Sequence, residues 1–165
     1  MPNPAMERLT KDSSPEQTSL APEELGYIAG VIDGEGTIGL RGSIKGRPHW
    51  YCPHIMIGNS NLEMLKFIQK LIGGRIYTRK FPDTNNKNCY TINWQSVADV
   101  DRILRLILPL LIVKRPQAEL LLAWCEVHDV HISDTDIHAF FKEGLNKLNK
   151  KGRTDDAQSS DGQTE

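Results

Sequence analysis

The 165-residue chain has little cysteine: Cys52, Cys89 and Cys125 are an odd number, and none belongs to a CxxC or CxH pair. That spacing argues against a disulfide framework or a clustered zinc site and points to a reducing, intracellular compartment. Long hydrophobic runs are missing too. No apolar stretch approaches the ~20 residues of a membrane span. Met1 to Ala21 carries three acids against two bases and has no hydrophobic centre, so neither a signal peptide nor an Arg-rich transit peptide is expected. No Ser/His/Asp or Cys/His arrangement suggests nucleophilic catalysis.

An excess of positive charge is also lacking, since the whole chain stands at −1. The distribution reverses what that total suggests. Residues 151–165 hold four acids and two bases in a Gly/Ser/Gln/Asp/Thr-rich stretch that reads as a disordered tail, as does 1–21. Residues 22–150, read as one domain, keep sixteen Lys/Arg against fourteen Asp/Glu, a difference of +2. Within them, segments 37–58 and 75–95 hold seven bases (Arg41, Lys45, Arg47, Arg75, Arg79, Lys80 and Lys87) and one acid, Asp83. Charge segregated in this way makes a polyanion-sized patch.

The periodicities predict an α+β fold. A helix begins at Pro22, with Glu23 and Glu24 in its first turn, and stops at Gly34 or Gly36. Two strands follow, over 37–44 and 50–58, the second confined to an edge or a bulge by Pro53. Asn59, Ser60 and Asn61 can each cap a helix that Leu62, Leu65, Ile68, Leu71 and Ile72 make amphipathic and Gly73–Gly74 end. A second hairpin spans 75–81 and 89–94, with a turn-rich loop between its strands. Ser96 caps a helix that breaks before Pro109, Pro116 opens another, and a last one runs from Asp134. The order is αββαββα with further helices, weakly repeating around the two hairpins. The run 103–113 reads as a buried helix and its connection, and Trp50, Trp94 and Trp124 as core or hairpin anchors. His128, Asp129 and His131 fall at a helix end, where the dipole favours histidine.

Leu25 to Gly36, LGYIAGVIDGEG, carries the most information. Gly26, Gly30 and Gly34 recur every four residues on one helical face, with Ala29 beside them. An interior glycine costs a helix roughly 1 kcal/mol relative to alanine. Bare backbone on one stripe is useful where a second helix comes close. Tyr27, Ile28, Val31 and Ile32 form the opposite, core-packing stripe. The helix ends in Asp33-Gly34-Glu35-Gly36, carboxylates at the negative end of its dipole. Two such helices, paired, would converge four carboxylates that demand cations, and hard oxygen ligands suit Mg²⁺. An inert, solvated acidic loop remains the alternative on these grounds.

IAGVIDGEG (28–36) resembles the nine-residue signature of the LAGLIDADG homing endonucleases, with Glu35 in place of the commoner Asp. Ile57-Gly58-Asn59-Ser60-Asn61, ahead of an apolar helix, is similar to the family's stretch after its first hairpin. Pro109 to Ala118 resembles its segment with a basic pocket residue. The three blocks cover roughly residues 22–125. The resemblance implies a curved antiparallel sheet with helices on one face, lying in the DNA major groove. It also implies a homodimer, since one motif supplies half an active site, and a long, near-palindromic double-stranded target.

By the same resemblance Glu35, with the Gly34 carbonyl, holds Mg²⁺, with Mn²⁺ or Ca²⁺ as alternative occupants of the site. Asn59 orders water and Lys114 stabilises charge as a phosphodiester is hydrolysed. Gly26, Ala29, Gly30 and Asp33 are assigned to the dimer interface, although Asp33 reads as more structural than catalytic. Phosphate or base contacts fall to Arg41, Lys45, Arg47, His49, Arg75, Arg79, Lys80, Asn85, Asn86, Lys87 and Gln95. The alternatives are a maturase acting on the intron RNA that would encode it, or a non-cleaving DNA-binding protein. A small metal-dependent hydrolase of another kind would leave the basic strands without a purpose.

Overall fold

A computed structural model describes residues 20–44, 47–79, 89–128, 130 and 134–150, of which 43–44, 47–49 and 79 are described in their backbone only. Helix α1 (Pro22–Glu35) has proline at its start, and the Ala21 amide donates to Glu24 Oε2 at 2.9 Å. It passes without a loop into β1 (Gly36–Ile44), which turns back as β2 (Arg47–Asn59). The Gly36 N–H donates to the Ile32 carbonyl, and a Cβ at Gly36 would lie 2.5 Å from that oxygen. Glycine at the junction is therefore a steric requirement. Helix α2 (Leu62–Ile72) is capped by Asn61, whose side chain accepts from the Met64 amide at 3.1 Å. It ends at Gly73 and Gly74, both at positive φ.

The second hairpin is β3 (Arg75–Arg79) and β4 (Cys89–Trp94). Helix α3 (Val97–Ile107) is capped by Ser96 and runs into a 3₁₀ turn at Leu108–Leu110. Helices α4 (Arg115–His128) and α5 (Thr135–Lys150) complete the chain, α5 starting where Asp134 Oδ1 accepts from the Asp136 and Ile137 amides. This is the αββαββα order read from the periodicities.

The strands form one antiparallel sheet in the order β1-β2-β4-β3. Strand β2 pairs with β4 only over Ile55–Asn59, so Pro53, opposite Leu40, lies where β2 has β1 as its sole partner. The proline fits there because no second ladder requires its missing N–H. Opposed residues share a face. The row Gly36, Ile57, Ile92, Ile76 points to the helices, with Ile57 and Ile92 fully buried. The neighbouring row Thr37, Met56, Asn93, Arg75 points the other way.

The core joins this inner face to Ile28 and Ile32 of α1, Leu65 and Ile68 of α2, and Val100, Ile103 and Leu104 of α3. Trp124 on α4 is buried, and its Nε1 donates to Nδ1 of the buried His138 at 2.9 Å, tying α5 to α4. Helix α5 also seals the free edge of β1. Lys142 Nζ donates to the Gly42 carbonyl at 2.7 Å and Asn149 Nδ2 to the Ile38 carbonyl at 3.1 Å. Covering an open strand edge removes a template for aggregation.

Three expectations need correction. Trp50 is exposed, whereas Trp94 and Trp124 are buried. The 103–113 run is buried on one face only: Ile103, Leu104, Ile107 and Leu111 are buried, Leu106 and Leu110 are exposed, and Ile112 and Val113 are 85% and 68% exposed. Ala29 is 1% exposed within its own chain and packs into the core, so it cannot face a second helix. In register the alanine stands a quarter-turn from Gly30, enough to place it on the inner stripe.

Candidate active site and nucleic-acid interface

The C-terminal end of α1 gathers the principal candidates. Gly26, Gly30 and Gly34 are exposed, and a Cβ at any of them would meet nothing within 4 Å. One face of the helix is thus bare along its length. Glu35 at its last position is exposed and unpaired among the described residues. Asp33, two residues earlier, is engaged. Its Oδ2 accepts from the backbone N–H groups of Ile112 at 2.7 Å and Val113 at 3.2 Å, and Oδ1 accepts from that of Lys114 at 2.9 Å. The Asp33 carboxylate is therefore engaged within its own chain.

Burial pushes the Asp33 carboxyl up, but these three amides and the nearby Lys114 cation outweigh it and hold the group below its ordinary range. The Lys114 ammonium donates to the Asp33 backbone carbonyl. Residues 81 apart in sequence thus meet at one helix end, where a cation is favoured by the dipole.

Asn59 closes β2, two residues beyond the strand partner of Gly36. Its Oδ1 accepts from the Asn61 amide at 2.8 Å, so that oxygen orders the turn into α2. Among the described residues no group of three or more His, Cys, Asp and Glu could hold a metal ion. One chain instead offers the Glu35 carboxylate and the Gly34 carbonyl. Both are hard oxygen donors of the kind divalent cations take, and they amount to part of a ligand set.

The outer face of the sheet starts two residues after Glu35, at Thr37. Arg75 and Tyr77 on β3 are exposed, as is Gln95 just past β4, and Asn93 and Thr91 stand beside them. A cavity of about 420 Å³ lies among Gly74, Arg75, Tyr77, Asn93, Trp94, Gln95 and Asp99. Arg41 on β1 is exposed and shares a second cavity with Trp50, His54, Lys142, Asn146 and Asn149. His54 is 8% exposed, and burial together with the Arg41 charge pushes it down to about 4.

Of the expected contact residues, Arg41, Arg75 and Gln95 therefore share the outer face. Lys45, Lys80, Asn85, Asn86 and Lys87 lie outside the described residues, and Arg47, His49 and Arg79 are described only in backbone. Tyr77, Asn93 and Lys142 were missed. The alternation Arg75, Tyr77, Arg79 could have found Tyr77, but nothing in the sequence places α5 beside β1. His128 ends α4 with its ring 4.6 Å from that of Trp124, while Asp129 and His131 lie outside the described residues.

No protein-family model and no curated protein matches the chain. Solved structures do. The homing endonuclease I-CvuI, in complex with the I-CreI target, is 20% identical with a TM-score of 0.63, over 76% of this chain and 82% of that one. The archaeal intron-encoded homing endonuclease I-Vdi141I, complexed with DNA, is also 20% identical with a TM-score of 0.62, over 76% and 84%. The LAGLIDADG meganuclease I-AabMI, bound to uncleaved DNA, is matched over 75% of this chain but 41% of its own, with a TM-score of 0.52 at 20% identity. The chain has the LAGLIDADG homing-endonuclease fold, the fold of the family that its residues 28–36 resemble.

Proposed function

We propose that the chain is a site-specific DNA endonuclease that works as a homodimer and makes a double-strand break in a long, near-palindromic target. The observation that carries this reading is the end of α1. Glu35, exposed and unpaired among the described residues, stands at the foot of an unobstructed glycine face, with the Lys114 ammonium at the same terminus.

A second copy docked on that face would bring two Glu35 carboxylates together and cover the exposed Ile112 and Val113. The lengths matched in the comparisons support this stoichiometry, because the chain spans most of I-CvuI but less than half of I-AabMI. Glu35 and the Gly34 carbonyl of each copy would hold Mg²⁺, with Mn²⁺ or Ca²⁺ as substitutes. The ion supplies charge neutralisation at a scissile phosphate and a more acidic water. Lys114, a fixed cation, is suited to stabilising negative charge as the phosphodiester is cleaved.

The outer face supplies recognition. Arg41, Arg75 and Gln95 offer phosphate and base-edge contacts, and Tyr77 and Asn93 extend them. The structures of I-CvuI, I-Vdi141I and I-AabMI all contain DNA. An intron as the coding context and a reducing intracellular compartment are consistent with this activity.

The test is to incubate the purified chain with a duplex library in Mg²⁺, beside Glu35→Gln, and to sequence the ends. Wild type should give discrete ends within one near-palindromic site, and Glu35→Gln should bind that site without cutting it. Cleavage by both proteins alike would remove Glu35 from the chemistry.

A further inference from the structure

Asp33 belongs to the same signature as Glu35, but its carboxylate is engaged elsewhere. Outside the helix's own backbone bonds, its described hydrogen bonds go to the segment bearing Lys114, and they engage it twice. The carboxylate accepts from three successive main-chain N–H groups, Ile112, Val113 and Lys114. The backbone carbonyl of the same residue accepts from the Lys114 ammonium. The segment so held is otherwise exposed, with Ile112 and Val113 projecting away from the core. Arg115 braces it from the other side, its Nε donating to the Leu111 carbonyl at 3.1 Å and its guanidinium to that of Pro109 at 3.0 Å.

From this geometry we infer that Asp33 is a positioning residue: it fixes residues 112–114 against the end of α1 so that the Lys114 ammonium stands beside the Gly34–Glu35 donors. The inference rests on the proposed nuclease reading for its consequence and on the four hydrogen bonds for its structure. A carboxylate with three backbone donors on its oxygens has little capacity left for a metal ion. A lysine side chain left free would sample many rotamers, whereas one tethered at both main chain and amine is pre-organised. One ammonium hydrogen goes to the Asp33 carbonyl, which leaves two to reach a substrate oxygen. Asp33 thereby links the cation to the same turn that presents Glu35.

A double-mutant cycle of Asp33→Asn and Lys114→Met tests this, read as single-turnover cleavage with DNA affinity measured separately in Ca²⁺. Asp33→Asn keeps the shape but places an NH₂ group against N–H donors. It should slow cleavage roughly 10- to 100-fold, as misplacing a reacting group by about 1 Å does, and leave DNA affinity within about twofold of wild type. The double variant should cut no more slowly than Lys114→Met alone, because Asp33 then has nothing to position. Independent multiplication of the two defects would overturn the inference, as would a raised Mg²⁺ requirement in Asp33→Asn alone. If Asp33→Asn fails to fold, Asp33→Glu carries the test; it keeps the charge but displaces the segment by one methylene.

A second readout does not depend on cleavage. In the wild type, the amides of 112–114 should resist hydrogen exchange despite their exposed side chains, and Asp33→Glu should weaken that protection. Fast exchange in the wild type would remove the clamp itself. Protected amides in a protein that cuts no DNA would instead leave the clamp standing and sink the nuclease reading.

Discussion

Asp33 and Glu35 are two carboxylates on one helical turn with opposite surroundings. One is held by backbone donors from a distant segment, and the other is exposed and unpaired among the described residues. The sequence shows both acids but not which is spoken for, because the partners of Asp33 lie some 80 residues on. Ala29 was misplaced on the glycine stripe, and the local bond of Asn59 was not foreseen. A quarter-turn separates the glycine stripe from the core, and the Asn59 oxygen is claimed by a local turn. His54 gives a pH prediction. Its folded value near 4 lies below the ordinary 6.5, so the unfolded chain binds the proton more readily. Stability is therefore present above pH 6.5 and falls as pH drops through 4, by at most roughly 3 kcal/mol. Arg41, which lines the same cavity, is the charge that adds to burial in opposing protonation. Urea midpoints between pH 7 and 4 should fall more steeply for wild type than for His54→Gln, and parallel curves would contradict this.

At the scale of elements, periodicity and caps served well. All four strands and five helices were legible as existing units, since apolar spacing, Asn61, Ser96, Gly73–Gly74 and Pro116 act within a few residues. What escaped was lateral: that β2 and β4 meet in the centre, that α5 lies along the β1 edge, and that Ile112 and Val113 stay outside. Those depend on contacts between distant segments that local patterns do not encode. The α1–β1 junction is the sharpest local case. Gly36→Ala would drive a methyl group into the Ile32 backbone and should lower unfolding free energy by about 1–3 kcal/mol. Gly26→Ala, on the open face, should leave the isolated protomer no less stable and gain a few tenths of a kcal/mol or more from helix propensity. Equal losses from the two substitutions in denaturant titrations would refute the distinction.

For the whole molecule, the net charge of −1 misleads, because acids collect in the tails and helices while Arg41 and Arg75 stand on the sheet's outer face. The proposed function makes the sheet's outer face a binding face and the unobstructed glycine face of α1 the seam of a symmetric pair. If two copies complete it, substitutions on the α1 face act through assembly and not through folding. Gly30→Leu fills space that is empty in one chain and should leave its melting temperature within a few degrees, yet abolish cleavage. The most direct measurement is therefore the mass of the species that cuts DNA, by sedimentation equilibrium of wild type beside Gly30→Leu. The account predicts twice 18.6 kDa, about 37 kDa, for wild type and 18.6 kDa for an inactive Gly30→Leu. A wild type that sediments at 18.6 kDa and still makes double-strand breaks would contradict it.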